Sequence, residues 1–335
     1  MRKRNNIAPL LIALLLIPFL GSSQPQRDFM VMFYNVENLY DTVDNPQKND
    51  NEFLPTAERR WNSYRYHKKL TNISKAIATA GGWQLPDIVG MCEVENDTCL
   101  HDLLNKTELY RFHYNIIHFD SEDPRGVDVA LLYNTQTFSP LTQRPIRIQF
   151  TSDTNKKTRD VLYVSGIMKP TNDTLHLFVC HFPSRRGGKE VSEPFRMEVA
   201  KGVRAQIDSI FSTNPKANIL VTGDFNDYPD DKSITQVLQA KKQTDACNSC
   251  LISLQDPSAD GTYKFQGQWN FLDQAIVSSG FLESYKIDYT VIKAEGLLET
   301  NQKTGEVTPF RTYRGPYYHG GFSDHLPITT SFSKK

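Results

Sequence analysis

Eight short runs of mostly apolar residues, rich in β-branched and aromatic side chains, constrain the fold of this chain more than any other feature. Several of them are apolar throughout instead of alternating with polar residues, which is typical of strands covered on both faces. Such strands need further layers of structure on either side, so the sequence predicts a layered α/β or α+β domain. The runs span residues 29–34, 88–92, 127–133, 161–168, 175–182, 219–222, 272–277 and 326–332.

Helical periodicity in two longer segments predicts the covering layers. In residues 56–80, Leu70, Ile73 and Ile77 fall on one face of a helix, and residues 190–211 show a similar apolar stripe. Residues 231–239 are a shorter helical candidate. The chain has no internal repeat and no low-complexity linker, so residues 27–335 are predicted to form one domain.

The first 23 residues have the composition of a secretory signal peptide. A basic stretch over residues 2–4 precedes an apolar stretch over residues 7–20, and small residues follow at positions 21–23. The apolar stretch is too short for a helix that must cross roughly 30 Å of hydrocarbon. A cleavable signal is therefore favoured over an uncleaved membrane anchor. The mature protein is expected to be secreted or periplasmic, without a membrane span.

The charge balance excludes one class of nucleic-acid-binding protein. The chain has 38 basic residues (Lys and Arg) and 38 acidic residues (Asp and Glu). Removal of the three basic residues of the signal peptide leaves 35 basic and 38 acidic residues, a net charge of −3. A protein that binds nucleic acid through a broad basic surface should carry a clear positive charge. Phosphate recognition, if present, is then expected at a local site.

The five cysteines form no recognisable metal or catalytic pattern. An odd number leaves at least one thiol unpaired even in an oxidising compartment. Cys247 and Cys250 stand in a polar, turn-like stretch, where a small disulfide loop is one interpretation. A zinc site there is disfavoured because no histidine is near.

Polar side chains that can bind metal or transfer protons stand where six of the eight apolar runs end or begin. Taken singly, each has an ordinary explanation such as a turn or an exposed edge, and Glu93 has a second acid, Glu95, two residues on. Their recurrence instead favours one shared site at the rim of a sheet. Oxygen ligands without a thiolate suit Mg²⁺ or Mn²⁺ better than Zn²⁺. The residues are Asn35, Glu93, His181, Asp224, Asn226, Asp273, Asp324 and His325.

Seven motifs, six of which contain these residues, resemble those of the endonuclease/exonuclease/phosphatase superfamily, the DNase I-like metal-dependent phosphodiesterases. They occur in the order of that family across residues 29–332, essentially the whole predicted mature chain, which argues against coincidence. The motifs are FYNVEN (33–38), PDIVGMCEVEN (86–96), RGVDVALLY (125–133), CHFPSRRGG (180–188), TGDFND (222–227), LDQAIVS (272–278) and FSDHLP (322–327).

The resemblance implies a four-layer α/β sandwich, with two packed mixed β-sheets flanked by helices and the site at one rim. It also implies that Glu93 binds a divalent cation, with Asn35 and Asp324 completing or supporting the metal site. Asp224 would orient or deprotonate the attacking water, and Asn226 would hold Asp224 and the phosphate in register.

The two histidines take their roles from the same resemblance. His325, paired with Asp273, would face the scissile phosphate, and the carboxylate would keep the imidazole charged or correctly oriented. His181 would donate a hydrogen bond to a non-bridging oxygen as negative charge builds up in the transition state. The metal would neutralise phosphate charge and stabilise the leaving oxygen.

Basic residues in and near the motifs suggest where a phosphate substrate is bound. Arg185 and Arg186 directly follow the histidine motif and Arg125 begins another, so these three are predicted to contact the substrate. Arg311 and Arg314 are explained equally well as part of an ordinary solvated loop. Four aromatic side chains before the last motif could stack on bases or pack that loop onto the fold: Tyr313, Tyr317, Tyr318 and His319.

The sequence therefore predicts an exported, monomeric phosphodiesterase that depends on Mg²⁺ or Mn²⁺ and acts as a nuclease on DNA or RNA. The alternative is the same chemistry on a non-nucleic phosphoester, as in a sphingomyelinase-like enzyme or a sugar or inositol phosphate hydrolase. A binding module without turnover is disfavoured because the full set of polar residues is present.

Overall fold

The computed structural model describes residues 28–245 and 247–335 of the chain. The predicted signal peptide, residues 1–23, lies outside the described residues. Within these two ranges, none of the helices combines the length and the hydrophobicity that a membrane crossing requires.

Strands make up most of the regular structure, and each of the eight predicted runs overlaps one of them. The first eight strands are β1 (Phe29–Leu39), β2 (Ile88–Val94), β3 (Tyr114–His118), β4 (Asp128–Asn134), β5 (Phe138–Ile146), β6 (Val161–Met168), β7 (Asp173–His181) and β8 (Asn218–Asp224). The others are β9 (Ala240–Lys241), β10 (Leu251–Ser253), β11 (Tyr263–Phe265), β12 (Gln268–Asn270), β13 (Asp273–Ser278), β14 (Tyr285–Val291), β15 (Leu298–Thr300), β16 (Val307–Pro309), β17 (Tyr313–Arg314), β18 (Tyr317–Tyr318) and β19 (Ile328–Lys334). The helices are α1 (Ser63–Gly81), α2 (Asp97–Asn105), α3 (Lys189–Thr213) and α4 (Ser279–Ser284).

Two mixed sheets carry thirteen of these strands. The first sheet has the order β14-β19-β1-β2-β4-β3, and the second has the order β5-β6-β7-β8-β13-β10-β9. Parallel pairing is found between β1 and β2, between β7 and β8, and between β9 and β10, whereas the remaining neighbours are antiparallel. Three small hairpins, β11–β12, β15–β16 and β17–β18, lie outside the two sheets.

Alternation of side chains along the second sheet explains why the molecule has four layers. On β7, Leu177 and Val179 belong to the core shared with the first sheet, whereas Phe178 packs into a separate cluster with Val199 and Val203 of α3. Helices α1 and α2 contribute their apolar stripes to the first of these cores. The order of layers is therefore α1 and α2, first sheet, second sheet, α3, which confirms the predicted four-layer sandwich.

The predicted helices differ from the observed ones mainly at their ends. The helix expected from residue 56 begins only at Ser63, because the side chain of Asn62 caps it by accepting the N–H of Arg65 at 3.1 Å. The helix predicted over residues 190–211 is α3 with one or two more residues at each end. The short candidate at 231–239 is a π-helix, Ser233–Leu238. Short 3₁₀ turns span Asn51–Phe53, Glu108–Arg111 and Gln243–Asp245.

All five cysteines are free thiols, so the suggested disulfide between Cys247 and Cys250 is not formed. Instead, the Sγ–H group of Cys250 donates to the carbonyl oxygen of Cys247 at 2.8 Å. Cys92 and Cys180 are fully buried within strands.

Candidate active site

Strand pairing brings the polar ends of the apolar runs to one rim of the sandwich. β1 and β2 are parallel, and their register leaves Asn35 and Glu93 at neighbouring positions. β7 and β8 are also parallel, with His181 opposite Asp224. Antiparallel β13 pairs with β8 so that Asp273 also lies opposite Asp224. Residues that are far apart in the sequence thus meet because the strands that carry them are in register.

Asp224 is buried on the floor of the site, and both of its carboxylate oxygens are held. Oδ1 accepts the backbone N–H of Asn226 at 2.9 Å, and Oδ2 accepts the side-chain Nδ2–H of Asn35 at 3.1 Å. Asn226 also donates its Nδ2–H to the carbonyl oxygen of Phe182 at 3.0 Å, which ties the end of β8 to the end of β7. Burial raises the pKa of Asp224 to about 7, although the charge on His325 acts in the opposite direction. A carboxylate with this pKa is suited to accept a proton near neutral pH.

His325 forms a buried pair with Asp273. Its Nδ1–H donates to Oδ2 of Asp273 at 2.7 Å, and its Nε2 lies 3.9 Å from Oδ2 of Asp224. The ring of Tyr263 packs against the imidazole, with 4.7 Å between the ring centroids. Burial alone would lower the pKa of His325, but the charge and hydrogen bond of Asp273, together with Asp224, raise this pKa to about 10. The imidazole is therefore charged at neutral pH.

His181 has the opposite electrostatic environment. Its Nε2 lies 3.7 Å from Oδ2 of Asp224 and 3.9 Å from Oε1 of Glu93. Burial lowers the pKa of His181 well below its usual value, and the positive charges of Arg159 and Arg125 lower it further. The site therefore contains one charged and one neutral imidazole, both facing the same carboxylate.

Glu93 extends into the site from a backbone conformation that is rare for a non-glycine residue, with φ at +64°. Its Oε2 accepts the backbone N–H of Asn38 at 2.9 Å. Its Oε1 lies 3.9 Å from both Nη1 of Arg125 and Nε2 of His181, beyond hydrogen-bonding distance of either. One carboxylate oxygen is thus oriented by the backbone and the other is left to a ligand.

The donor set around Glu93 fits a divalent cation that prefers oxygen ligands. Asp324 lies in the same cleft, and its Oδ2 accepts a hydrogen bond from Nη2 of Arg311 at 2.8 Å. Asn35 adds an amide oxygen, which also accepts the backbone N–H of Glu37 at 3.0 Å. Two carboxylates and an amide oxygen match the ligand preference of Mg²⁺ and Mn²⁺.

A second combination of these residues is less suited to metal. Ligand atoms of Asp224, Asp273 and His325 lie within 4.8 Å of one another. Nδ1 of His325 is, however, committed to its hydrogen bond with Asp273, and the charged imidazole offers no lone pair to a cation. We therefore assign the metal-binding capacity of the site to Glu93 and its neighbours.

Glu95, for which an exposed edge was the simple explanation, is in fact buried. Its Oε2 accepts the backbone N–H of Asp41 at 2.7 Å. Burial raises the pKa of Glu95 to about 8. Glu95 therefore fixes the loop after β1 and does not line the cleft.

Ten of the eleven predicted site residues line a single cleft of about 540 Å³. The eleventh, Asp273, lies behind His325 as its hydrogen-bond partner. The cleft also includes residues that the sequence did not indicate. Its lining consists of Asn35, Glu93, Arg125, His181, Ser184, Arg185, Arg186, Asp224, Asn226, Tyr228, Tyr263, Phe265, Asn270, Leu272, Asp324 and His325.

The arginines predicted to contact substrate differ in their surroundings. Arg185 donates from Nε to the carbonyl oxygen of Asn226 at 2.7 Å and from Nη2 to Asp231 at 2.7 Å, and its guanidinium lies 3.9 Å from the ring centroid of Tyr228. It therefore braces the loop after β8 as well as lining the cleft. Arg186 lines the cleft, and Arg125 stands beside Glu93 at its mouth.

Of the four aromatic side chains before the last motif, Tyr313 and Tyr318 pack against the fold and Tyr317 is exposed to solvent, and none of the four lines the cleft. Tyr313 is buried, with its ring centroid 6.1 Å from that of Trp61, and Tyr318 lies under the guanidinium of Arg65. The cleft instead receives its aromatic side chains from Tyr228 and from hairpin β11–β12, which supplies Tyr263 and Phe265.

Buried arginines that the sequence did not single out hold the site together. Arg159 donates from Nε to the carbonyl oxygen of His181 at 2.9 Å and from Nη1 to Asp123 at 3.0 Å. Arg196 of α3 is fully buried, with Nε 2.7 Å from Oδ1 of Asp227. No sequence pattern distinguishes these arginines from surface ones, because their burial depends on carboxylates distant in the chain.

Solved structures of other proteins share this fold. The catalytic domain of human Nocturnin with a bound sulfate anion superposes with a TM-score of 0.55 at 17% identity, covering 92% of this chain and 95% of that one. A mannosyl-6-phosphatase of Bacteroides thetaiotaomicron superposes with a TM-score of 0.56 at 16% identity, covering 91% and 99%. Truncated TDP2 of Caenorhabditis elegans gives 0.53 at 19% identity, covering 91% and 97%. These similarities show the fold, whereas no curated protein sequence matches the chain.

A sequence model of the Endonuclease/Exonuclease/phosphatase family matches residues 30–334, nearly the whole described chain. This range includes all seven motifs and every side chain of the cleft floor. The chain therefore belongs to the endonuclease/exonuclease/phosphatase family of metal-dependent phosphoester hydrolases, as the motifs predicted.

Proposed function

We propose that this protein is an exported, Mg²⁺-dependent phosphodiesterase that hydrolyses nucleic acid. The observation that carries the proposal is the spacing of three side chains on the cleft floor. The Nε2 atoms of His181 and His325 lie 3.7 and 3.9 Å from Oδ2 of Asp224. These distances are too long for direct hydrogen bonds, and they leave the three groups facing a position that an oxygen of water or phosphate would occupy.

Asp224 takes the proton of the attacking water in this proposal. Its carboxylate is oriented by Asn35 and Asn226, and its pKa of about 7 keeps a large fraction ionised and basic at neutral pH. Because both orienting groups are themselves fixed at strand ends, Asp224 does not have to reorganise when the reaction begins.

The two histidines act on the phosphate in different ways. His325, charged and held by Asp273, stabilises the negative charge that builds up on the phosphoryl oxygens. His181 is neutral and, as the Nε2–H tautomer, donates a hydrogen bond to a non-bridging oxygen without adding charge. Arg159 fixes the backbone of His181 through its carbonyl oxygen.

Glu93 is the main ligand of the divalent cation in this assignment, with Asn35 and Asp324, which line the same cleft, as further ligands. Mg²⁺ is the proposed ion and Mn²⁺ a competent substitute, because both prefer carboxylate and amide oxygens. When bound, the cation neutralises phosphate charge and polarises the phosphoryl group.

Aromatic and basic side chains together support a nucleic-acid substrate. The rings of Tyr263 and Phe265 are nearly parallel, 13° apart, and Phe265 is 57% exposed at the edge of the cleft. Exposed rings beside a phosphate site are suited to stack on bases. Arg186 and Arg125 place guanidinium groups in the cleft of a chain that carries no net positive charge.

A sugar phosphate is the second candidate substrate. A cleft of about 540 Å³ is also the size of a pocket for a single small molecule. The solved mannosyl-6-phosphatase of Bacteroides thetaiotaomicron shares the fold, although 16% identity carries no information on substrate.

A substrate screen tests the proposal directly. The mature protein with Mg²⁺ should hydrolyse bis-p-nitrophenyl phosphate and either plasmid DNA or RNA, and should not turn over sphingomyelin, inositol phosphates or mannose 6-phosphate. EDTA should abolish the activity, and Asp224→Ala should reduce it by at least about 100-fold while the protein still unfolds cooperatively. Full activity in EDTA would exclude the metal mechanism, and preferential hydrolysis of the sugar phosphate would exclude the nuclease assignment.

Export and a monomeric state are part of the proposal and have their own measurements. N-terminal sequencing of protein secreted from, or in the periplasm of, an expression host should find a chain that starts near residue 24. Light scattering after size-exclusion chromatography should give the mass of one chain. Retention of residues 1–23 on membrane-bound protein would contradict the signal-peptide assignment.

A further inference from the structure

A second pocket adjoins the catalytic cleft and has no role in the chemistry described above. It has a volume of about 210 Å³, and Lys264, Arg311 and Arg314 contribute three cationic side chains to its wall. Asn301 and Thr308 add an amide and a hydroxyl group. The carboxylate of Asp324 lines both this pocket and the catalytic cleft, so the two spaces are direct neighbours.

The walls of this second pocket are fixed before any ligand arrives. Lys264 donates from Nζ to the carbonyl oxygen of Val307 in hairpin β15–β16 at 2.9 Å. The segment that carries Arg311 and Arg314 is fixed by a hydrogen bond from the backbone N–H of Thr312 to the buried carboxylate of Glu37 at 2.7 Å. A rigid pocket loses little conformational entropy when it binds a ligand, which favours a specific subsite.

The side chain of Lys69 of α1 holds the same segment from the interior. It is fully buried and donates from Nζ to the hydroxyl of Thr312 and to the carbonyl oxygen of Phe322, the latter at 2.7 Å. Burying a charged lysine costs free energy. The buried side chain of Lys69 fixes the segment that positions both Arg311 and Asp324. The position of the cationic wall relative to the cleft is thus set by the core.

The donor groups of the second pocket suit a phosphate group. Each of its three cations is paired with a carboxylate, Lys264 with Glu306 at 3.1 Å, Arg311 with Asp324 at 2.8 Å and Arg314 with Glu299 at 2.8 Å, so the pocket offers N–H donors without a surplus of positive charge. Arg314 uses Nη2 for its bonds to other described residues, Glu299 at 2.8 Å and Thr308 at 3.4 Å, so Nε and Nη1 remain for a ligand. Guanidinium and ammonium groups next to amide and hydroxyl donors are the usual partners of phosphate oxygens.

We propose that the second pocket binds a phosphate next to the scissile one, so that the substrate presents at least two phosphate groups to the protein. The inference rests on the proposed nuclease function, because a nucleic-acid strand carries a phosphate at every nucleotide. It gives Arg311 and Arg314 a substrate-binding role in place of an ordinary solvated loop. A phosphodiester without a neighbouring phosphate would leave the pocket unfilled.

Equilibrium binding to two dinucleotides tests the second pocket. The protein carries Asp224→Ala to prevent turnover and is loaded with Mg²⁺. Its ligands are thymidine dinucleotides with and without phosphates at both the 5′ and 3′ ends. We expect the terminally phosphorylated ligand to bind at least about tenfold more tightly, since one charge-assisted contact accounts for a factor of this size. Arg314→Gln and Lys264→Gln should each bring that ratio close to one.

Arg111→Gln is the matched control, because Arg111 is an exposed arginine paired with Glu108 at 3.0 Å and lines neither cavity. It should leave the ratio unchanged. A ratio near one before these substitutions, or a ratio that both Arg314→Gln and Lys264→Gln leave intact, would overturn the inference. Failure of the wild-type protein to hydrolyse bis-p-nitrophenyl phosphate would instead refute the proposed function, and the binding ratio would still report on the pocket.

Discussion

The fully buried Arg196 offers a stringent test of how the loop after β8 is held. Its Nε lies 2.7 Å from Oδ1 of Asp227, which is 1% exposed, and its Nη1 donates to Oγ of Ser192 at 2.7 Å. Arg196→Met keeps most of the side-chain volume but removes the charge. Asp227 is then left buried with the partly exposed Arg185 at 3.3 Å and the hydroxyl of Ser233.

Removing one partner of a buried ion pair typically destabilises a protein by about 3–5 kcal/mol. Because Arg185 remains near Asp227, we expect the lower end of this range, about 3 kcal/mol, or roughly 5–10 °C in melting temperature. The second substitution Asp227→Asn removes the uncompensated charge, so the double variant should regain at least half of the loss. Urea denaturation followed by intrinsic fluorescence, together with calorimetry, measures both quantities.

The control for this experiment lies on the same helix. Arg204 of α3 pairs with Asp208 at 2.7 Å, but Asp208 is 55% exposed, so solvent weakens the interaction. Arg204→Met should lower the stability by no more than about 2 kcal/mol, since it removes this exposed pair and the hydrogen bond from Nη1 to the carbonyl oxygen of Leu238 at 2.9 Å. The reasoning is refuted if Arg196→Met costs as little as Arg204→Met, or if Asp227→Asn restores nothing to the Arg196→Met protein.

Three further predictions concern the site itself. Asp273→Asn should remove the charge that raises the pKa of His325 to about 10, so this pKa should fall toward the ordinary value of about 6.5. Activity on bis-p-nitrophenyl phosphate should then drop about 100-fold at pH 8.5, where the imidazole has lost its charge, whereas the loss of activity at pH 6 should be small. A pH profile that keeps its activity up to pH 9.5 would contradict this assignment. Gly223→Ala should cost about 3 kcal/mol, because a Cβ there would lie 2.2 Å from the carbonyl oxygen of Cys180. Gly202→Ala within α3 should change the melting temperature much less, because a Cβ there would meet only the end of the Ile148 side chain, at 3.1 Å. Phe265→Ala should raise KM for a short oligonucleotide about tenfold through lost base stacking, whereas Phe112→Ala, which removes another exposed ring, should leave KM unchanged.

The strands that the sequence predicted are those buried on both faces. Their apolar character follows directly from the layers around them, so pattern alone finds them. The sequence did not predict the strands at the edges of the two sheets. β5 is a polar strand that contains Pro140 and Pro145, which an edge tolerates because one side of it has no ladder to complete. β14, at the edge of the other sheet, alternates partly buried and exposed residues, so it does not form an apolar run of the kind used to find the other strands.

The residues that act on substrate were easier to predict than those that position them. Carboxylates and imidazoles at the ends of apolar runs stand out because such runs seldom end in several groups able to bind metal. Arg159, Lys69 and Arg196 carry no such signal, since a charged residue is normally expected at the surface. Their burial depends on partners 36, 243 and 31 positions away, and only the assembled fold brings these partners together.

The arrangement of charges explains how a chain without net positive charge can bind phosphate. Arg125 and Arg311 lie beside Glu93 and Asp324, at 3.9 and 2.8 Å, so their positive charge is largely cancelled. A divalent cation at Glu93 and Asp324 would compensate those carboxylates and leave both guanidinium groups to face a phosphate. By thermodynamic linkage, phosphate must then strengthen cation binding by the same factor. A dinucleotide should therefore shift a Mg²⁺ titration of the Asp224→Ala protein to lower concentrations, and an unshifted titration would mean that the arginines and the cation act independently.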